Sequence, residues 1–164
     1  MEEATRRCDE ILDLLEKEIG LHRDLLDLSR REQSLLVTLD TDALVATLQD
    51  VEEVAGKIRA TIQARLALLA EMAESLYPGR KGATCEEVLS SGGRNRVERY
   101  RSMFECLGTI LEEHAAINAG NIVLIGNVLD YIDFATGFLA SRHGQNTYGV
   151  RKVGRPHALR LSRS

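Results

Sequence analysis

Residues 97–139 read VERYRSMFECLGTILEEHAAINAGNIVLIGNVLDYIDFATGFL, and this stretch decides the fold. Its apolar side chains recur in alternating steps of three and four residues, the spacing that keeps them on one side of an α-helix. The thirteen positions of this stripe are Val97, Tyr100, Phe104, Leu107, Leu111, His114, Asn118, Asn121, Ile125, Val128, Ile132, Ala135 and Leu139. The pattern predicts one long helix over about residues 95–142.

Two further long helices are predicted before this one. Residues 4–39 carry two adjacent apolar stripes, and an apolar face of that width suits a helix that packs against more than one neighbour. Asp40 and Asp42 then interrupt the pattern, and such side chains cap the starts of helices. A second helix is therefore predicted over about residues 42–77. Because the connection is short, the two helices should be antiparallel neighbours.

A short helix is predicted between the second and third long helices. Proline and glycine end the second helix within residues 77–82, since neither propagates a helix. Thr84 and Glu87 have the spacing of a capping box, which predicts a helix over about residues 84–91. No alternation typical of strands competes with these helices. The predicted fold is an all-α, elongated, coiled-coil-like antiparallel bundle of three long helices and one short helix.

The C-terminal segment differs from the rest of the chain in charge. Residues 1–40 hold eleven acidic and six basic residues, whereas residues 142–164 hold six basic residues and no acidic one. The periodicity also ends here, which predicts a helical bundle over residues 1–143 and a flexible basic tail over residues 144–164. A basic tail can contact nucleic acid, an anionic membrane or an acidic protein. The acidic helices, and the lack of aromatic residues among the bases, argue against nucleic acid.

The sequence offers no catalytic or metal-binding pattern. A di-iron bundle needs a Glu-x-x-His motif on two helices, and a phosphate-binding loop needs a GxxxxGK[ST] motif; neither occurs. Cys8, Cys85 and Cys106 are odd in number and widely spaced, so they predict reduced thiols. The charged N-terminus is not a signal peptide, and the uncharged run over residues 114–129 is too short and too polar for a membrane span. We expect a cytoplasmic protein that binds another protein and is not an enzyme.

The long third helix carries two features that point to binding. His114, Asn118 and Asn121 occupy successive stripe positions, either as a buried polar layer that fixes helix register or as groups open to a partner. Residues 122–139 place apolar groups around most of the helix, more than two antiparallel companions easily cover. The apolar surface left over is covered either by the tail or a second subunit, or by an amphipathic helix of another protein.

Several short elements together resemble the flagellar export chaperone family of the FlgN type. In order, they are EQSLL at residues 32–36, DAL at 42–44, RLALL at 65–69, INAGNIVLI at 117–125, and NTYG at 146–149 with a later Gly154. The resemblance rests on the order and spacing of these elements, and it extends to about Gly154.

The resemblance implies a cytoplasmic bundle that needs no cofactor and no metal. Its implied clients are the first and third hook-associated proteins, whose C-terminal helices it binds, keeps from assembling and delivers to the export gate and export ATPase complex. It implies no nucleic acid and no stable membrane insertion. The implied client-binding residues are Asn118, Asn121, Leu124, Ile125, Val128, Leu129 and Ile132, and the implied contact with the export gate is Tyr148.

A structural coiled-coil scaffold without a client is the alternative. Such a protein would be a homo-oligomer that permanently buries the apolar side of its last helix in a symmetric interface. A chaperone would leave that side exposed or cover it with something displaceable. The exposure of the last helix therefore separates the two hypotheses.

Overall fold

The computed structural model describes residues 2–80 and 82–144, with side chains described through residue 137. The helices are α1 (Glu2–Thr38), α2 (Thr41–Leu76), α3 (Cys85–Ser90) and α4 (Arg94–Gly144). These described residues contain no strand. The predicted all-α bundle of three long helices and one short helix is confirmed.

The chain divides into two compact units, residues 1–127 and residues 128–164. The first unit holds α1, α2, α3 and the larger part of α4, and the second unit begins within α4 at Val128. The predicted division between bundle and tail at residue 143 stays a prediction. α4 is described through Gly144, and the rest of the segment predicted as a flexible tail lies outside the described residues.

α1 and α2 run antiparallel within the first unit. At the turn between them, the Asp40 carboxylate accepts a hydrogen bond from the amide of Ala43 at 3.1 Å and so caps the start of α2. Near the other end of the pair, Arg7 of α1 lies 3.7 Å from Glu71 of α2. An early residue of α1 thus meets a late residue of α2, as the predicted short connection requires.

The segment between α2 and α4 is fixed by a capping box and two glycines. The Thr84 hydroxyl accepts from the Glu87 amide at 3.2 Å, and the Glu87 carboxylate accepts from the Thr84 amide at 2.8 Å. The predicted capping box is therefore confirmed. Gly93 has a φ of +111°, and a Cβ on Gly92 would lie 3.0 Å from the Cys8 sulfur. These glycines let the start of α4 approach α1 closely.

α4 packs parallel to α1 along the first unit. Three side-chain pairs at the same offset of 83 residues join the two helices. They are Glu16 with Arg99 (2.8 Å), Arg23 with Cys106 (3.4 Å) and Arg30 with Glu113. The seven-residue spacing on both helices is that of a parallel coiled coil. The core that the two helices share contains Leu15, Ile19, Leu26, Leu107 and Ile110.

Candidate functional site

The predicted stripe of α4 is only partly covered by α1. Leu107 is buried in the core shared with α1, and Asn121 is buried beside Ser29. Phe104 and Leu111, from the same stripe, are exposed, Phe104 at 52%. The stripe therefore consists of a row that faces α1 and a neighbouring row that does not.

The later part of α4 exposes much apolar surface. In the first unit, Ile122 and Val123 are 70% and 62% exposed, and Ile125 is also exposed. In the part of the second unit whose side chains are described, residues 128–137, the large exposed apolar residues are Leu129, Tyr131, Ile132 and Phe134. Only 6% of the most apolar stretch of this helix is buried. Exposed apolar surface of this extent marks interaction sites.

By length and composition, α4 is the one helix in the described part of the chain that could cross a membrane, over Arg94–Gly137. A single helix of this kind is weak evidence for a span. The helix also carries Asn118 and Asn121, whose amides are costly to place in hydrocarbon. Its apolar surface is explained more simply by a protein partner.

A polar layer joins α4 to α1 just before this surface. His114 Nε2 lies 3.0 Å from Ser29 Oγ and 3.3 Å from Asn118 Nδ2. Asn121 Nδ2 donates to the Ser29 carbonyl at 3.1 Å, and its buried Oδ1 has no hydrogen-bond partner among the described residues. These contacts favour the buried polar layer as the interpretation of Asn121. Asn118 is half-buried at the edge of the layer.

His22 of α1 lies next to this layer and is sensitive to its surroundings. Burial lowers the pKa of His22 below its ordinary value, because the imidazolium loses solvation. The nearby Glu18 carboxylate opposes this by raising the pKa, and His114 lowers it further. The fold therefore favours the neutral form of His22.

We expect acidification to destabilise the bundle partly through His22. Since its pKa is lower in the folded chain than in the unfolded chain, the unfolded chain takes up the proton first as the pH falls below about 6.5. The free energy of unfolding should therefore fall over this range. In His22→Gln, the free energy of unfolding measured with urea should fall less between about pH 7.5 and about pH 5.5 than in the native chain. An unchanged pH dependence in the variant would exclude His22 as its source.

The predicted client-binding residues differ in accessibility. Asn121 is buried, and Asn118, Leu124 and Val128 are half-buried. Ile125, Leu129 and Ile132 are exposed. Tyr148, the predicted contact with the export gate, lies outside the described residues. The binding roles of all eight residues stay predictions.

Within residues 122–137 of α4, four exposed apolar side chains were not among the predicted client-binding residues. They are Ile122, Val123, Tyr131 and Phe134. Their sequence signal is the wide apolar surface already noted over residues 122–139, which extends beyond the single stripe. The exposed apolar surface of α4 therefore covers more of the helix circumference than the stripe alone.

The described residues hold no group of three His, Cys, Asp or Glu side chains that could bind a metal ion. Cys8 is a buried free thiol, and Cys85 and Cys106 are half-buried free thiols. What the described site offers chemically is apolar area beside a few hydrogen-bonding groups. That combination suits the binding of a protein segment.

A helical bundle that exposes a long apolar helix is typical of proteins that bind and shield helices of other proteins. The family model described as FlgN protein matches residues 1–153 of the chain. The chain belongs to the FlgN family and is therefore a flagellar export chaperone. Chaperones of this family are soluble cytoplasmic proteins, and membership implies hook-associated proteins as partners. No curated protein and no solved structure gave a match.

Proposed function

We propose that this chaperone binds the C-terminal amphipathic helices of the first and third hook-associated proteins. Binding keeps those helices from assembling in the cytoplasm until the chaperone delivers its client to the export gate and export ATPase complex. The observation that carries the proposal is the exposed apolar surface of α4. Such a surface takes the place of the client's missing assembly partner.

The energetics of such binding are adequate. Covering ~600 Å² of apolar surface contributes on the order of 15 kcal/mol before costs. Part of this is offset by the loss of translational freedom and by the ordering of a flexible client. A net affinity between about micromolar and about nanomolar follows.

The charge pattern of α4 also suits an apolar partner. Asp130 and Asp133 are the only charged residues within residues 122–137. Because they are three positions apart, they share one side of the helix and leave the others apolar. A client helix can therefore cover α4 without burying an unpaired carboxylate, which would be costly.

The proposal is tested with purified components. The chain is mixed with C-terminal fragments of the first and third hook-associated proteins, and complexes are measured by calorimetry and analytical ultracentrifugation. We expect a defined complex with at least one fragment. A chain that forms a tight symmetric oligomer and binds neither fragment would instead support the scaffold alternative.

Tyr148→Ala should separate client binding from export. If Tyr148 contacts the export gate, the variant should bind client fragments as tightly as the native chain while secretion of the hook-associated proteins falls. Tyr148→Phe is the matched control, since it keeps the ring and removes the hydroxyl. Loss of client binding in Tyr148→Ala would place this tyrosine in the client site instead.

A further inference from the structure

The turn between α1 and α2 carries a second apolar surface. Val37, Leu39, Val45 and Leu48 are between 46% and 67% exposed, and we call these four residues the turn surface. At a rise of 1.5 Å per residue, all four lie within about 12 Å of the turn along the helix axes. They belong to the first unit and include no residue of α4.

Leu39 is held in a conformation that leucine rarely adopts. Its φ is +57°, in the left-handed region, and it is the only described residue other than glycine with a positive φ. The Asp40 amide donates to the Leu35 carbonyl at 3.2 Å, which is the outer bond of a Schellman motif. Glycine ordinarily occupies the left-handed position of this motif, because a Cβ crowds the backbone there. Leu39 therefore costs stability.

The exposed side chain of Leu39 does not offset that cost by packing in the core. More than half of its surface stays in contact with solvent. An observed backbone outlier of this kind is a reason to suspect a function for the side chain. The simplest function for an exposed leucine is contact with another apolar surface.

Val45 and Leu48 extend this surface along α2. They are three residues apart and so share one side of the helix. Thr47, which lies between them in sequence, is fully buried and so marks the side of α2 that faces the bundle interior. Both side chains therefore point away from the bundle interior.

The surroundings of the turn surface are strongly acidic. Residues 32–56 contain six acidic residues and no lysine, arginine or histidine. Asp40 and Asp42 stand directly beside Leu39, and the first base after them, Lys57, already pairs with Glu53 at 2.6 Å. A partner that covers the turn surface must bring positive charge with it.

We infer that the turn surface is a docking site for an amphipathic protein helix that presents leucine-like residues flanked by lysine or arginine. A symmetric contact with a second copy is disfavoured, because it would bring two acidic turns together. The turn surface shares no residue with the proposed client-binding residues of α4.

The direct test uses two synthetic helical peptides of about 14 residues, which is four turns. One combines leucine at helical spacing with lysine, and the other combines the same leucines with glutamate. Both are titrated into the isotope-labelled full chain and followed by amide chemical shifts. We expect the lysine peptide to shift the amides of residues 37–48 and to bind at least about tenfold more tightly than the glutamate peptide. Its affinity should fall severalfold between about 50 and about 500 mM salt.

Variants locate the binding. Leu39→Gly combined with Val45→Ser should weaken binding of the lysine peptide at least about fivefold. A loss of that size is expected when two apolar contacts are removed. Ile132→Asp, on α4, should leave it unchanged. Peptide binding that survives the double variant, or is lost in Ile132→Asp, overturns the proposal. Equal binding of the two peptides, or a dimer that dissociates in the double variant, overturns it as well.

The strain at Leu39 gives an independent readout. Leu39→Gly alone should raise the Tm of the chain, since glycine fits the left-handed position, while it weakens the lysine peptide. A side chain with a purely structural role would give the opposite sign. A lower Tm in Leu39→Gly would therefore overturn the proposal even if peptide binding also fell.

Discussion

Ile132→Asp is expected to abolish binding of the hook-associated client while the isolated chaperone keeps its helical content. Ile132 is an exposed apolar residue of α4 in the second unit, so a carboxylate there is solvated in the free chain. In the complex the same carboxylate would be buried against the client's apolar side without a partner. That desolvation should weaken binding at least ~100-fold, about 2.7 kcal/mol. Calorimetry with a client fragment measures the loss, and circular dichroism measures the helix.

A matched control shows whether the added charge alone is responsible. Ala119 is exposed on α4 and lies seven residues after Glu112, on a row that already carries charge. Ala119→Asp adds the same carboxylate to the same helix and should leave client binding near that of the native chain. Val128→Asp should behave like Ile132→Asp, although Val128 is half-buried and its variant must be checked for folding. Undiminished client binding in both variants would remove α4 from the client site.

The stripe on α4 shows what periodicity can and cannot predict. The alternating steps of three and four predicted a long helix and identified which residues share a side. They did not predict that Leu107 is buried while Phe104, three positions before it, is exposed. Coverage depends on how many helices reach that side and at what angle. Neither quantity is encoded in the spacing of a single helix.

The polar break in α4 shows a similar limit. A run of His114, Asn118 and Asn121 predicts either a buried layer or a set of open groups. Asn121 belongs to the buried layer, because its side-chain amide donates a hydrogen bond to the Ser29 carbonyl. That partner lies 92 residues away on α1, and Ser29 alone gives no sign of it. Local signals such as the Thr84 capping box were predictable because all their partners lie within one turn.

Backbone strain was equally hidden from the sequence. The pair of aspartates at Asp40 and Asp42 predicted where α2 begins, since such side chains accept hydrogen bonds from free amides. Nothing in the residue types predicted a left-handed leucine at position 39, where glycine or asparagine is usual. A departure from local preference becomes visible only in the structure, and such departures concentrate at functional sites.

Arg65 is the one polar residue in the stripe of α2, whose positions recur in alternating steps of four and three. They are Leu44, Leu48, Val51, Ala55, Ile58, Ile62, Arg65, Leu69, Met72 and Leu76. Arg65 Nε donates to Glu18 Oε2 of α1 at 2.9 Å. The two side chains are 10% and 4% exposed, so the ion pair lies inside the α1–α2 interface. Removing one partner leaves the other charge buried and unpaired, which costs several kcal/mol, whereas removing both does not.

Glu18→Ala and Arg65→Ala are each expected to lower the stability of the chain by about 3–5 kcal/mol and its Tm by about 10 °C or more. The double variant Glu18→Leu with Arg65→Met replaces the pair by apolar groups of similar volume and should recover most of that loss. Arg30→Ala is the matched control, since it breaks the exposed pair with Glu113 and should leave the Tm nearly unchanged. Thermal and urea unfolding of the four variants measure the differences. Single variants as stable as the native chain would contradict this prediction and would mean that water reaches the ion pair. A double variant as unstable as the single variants would also contradict it. That result would mean that the ion pair itself, and not the volume that its side chains fill, holds α2 against α1.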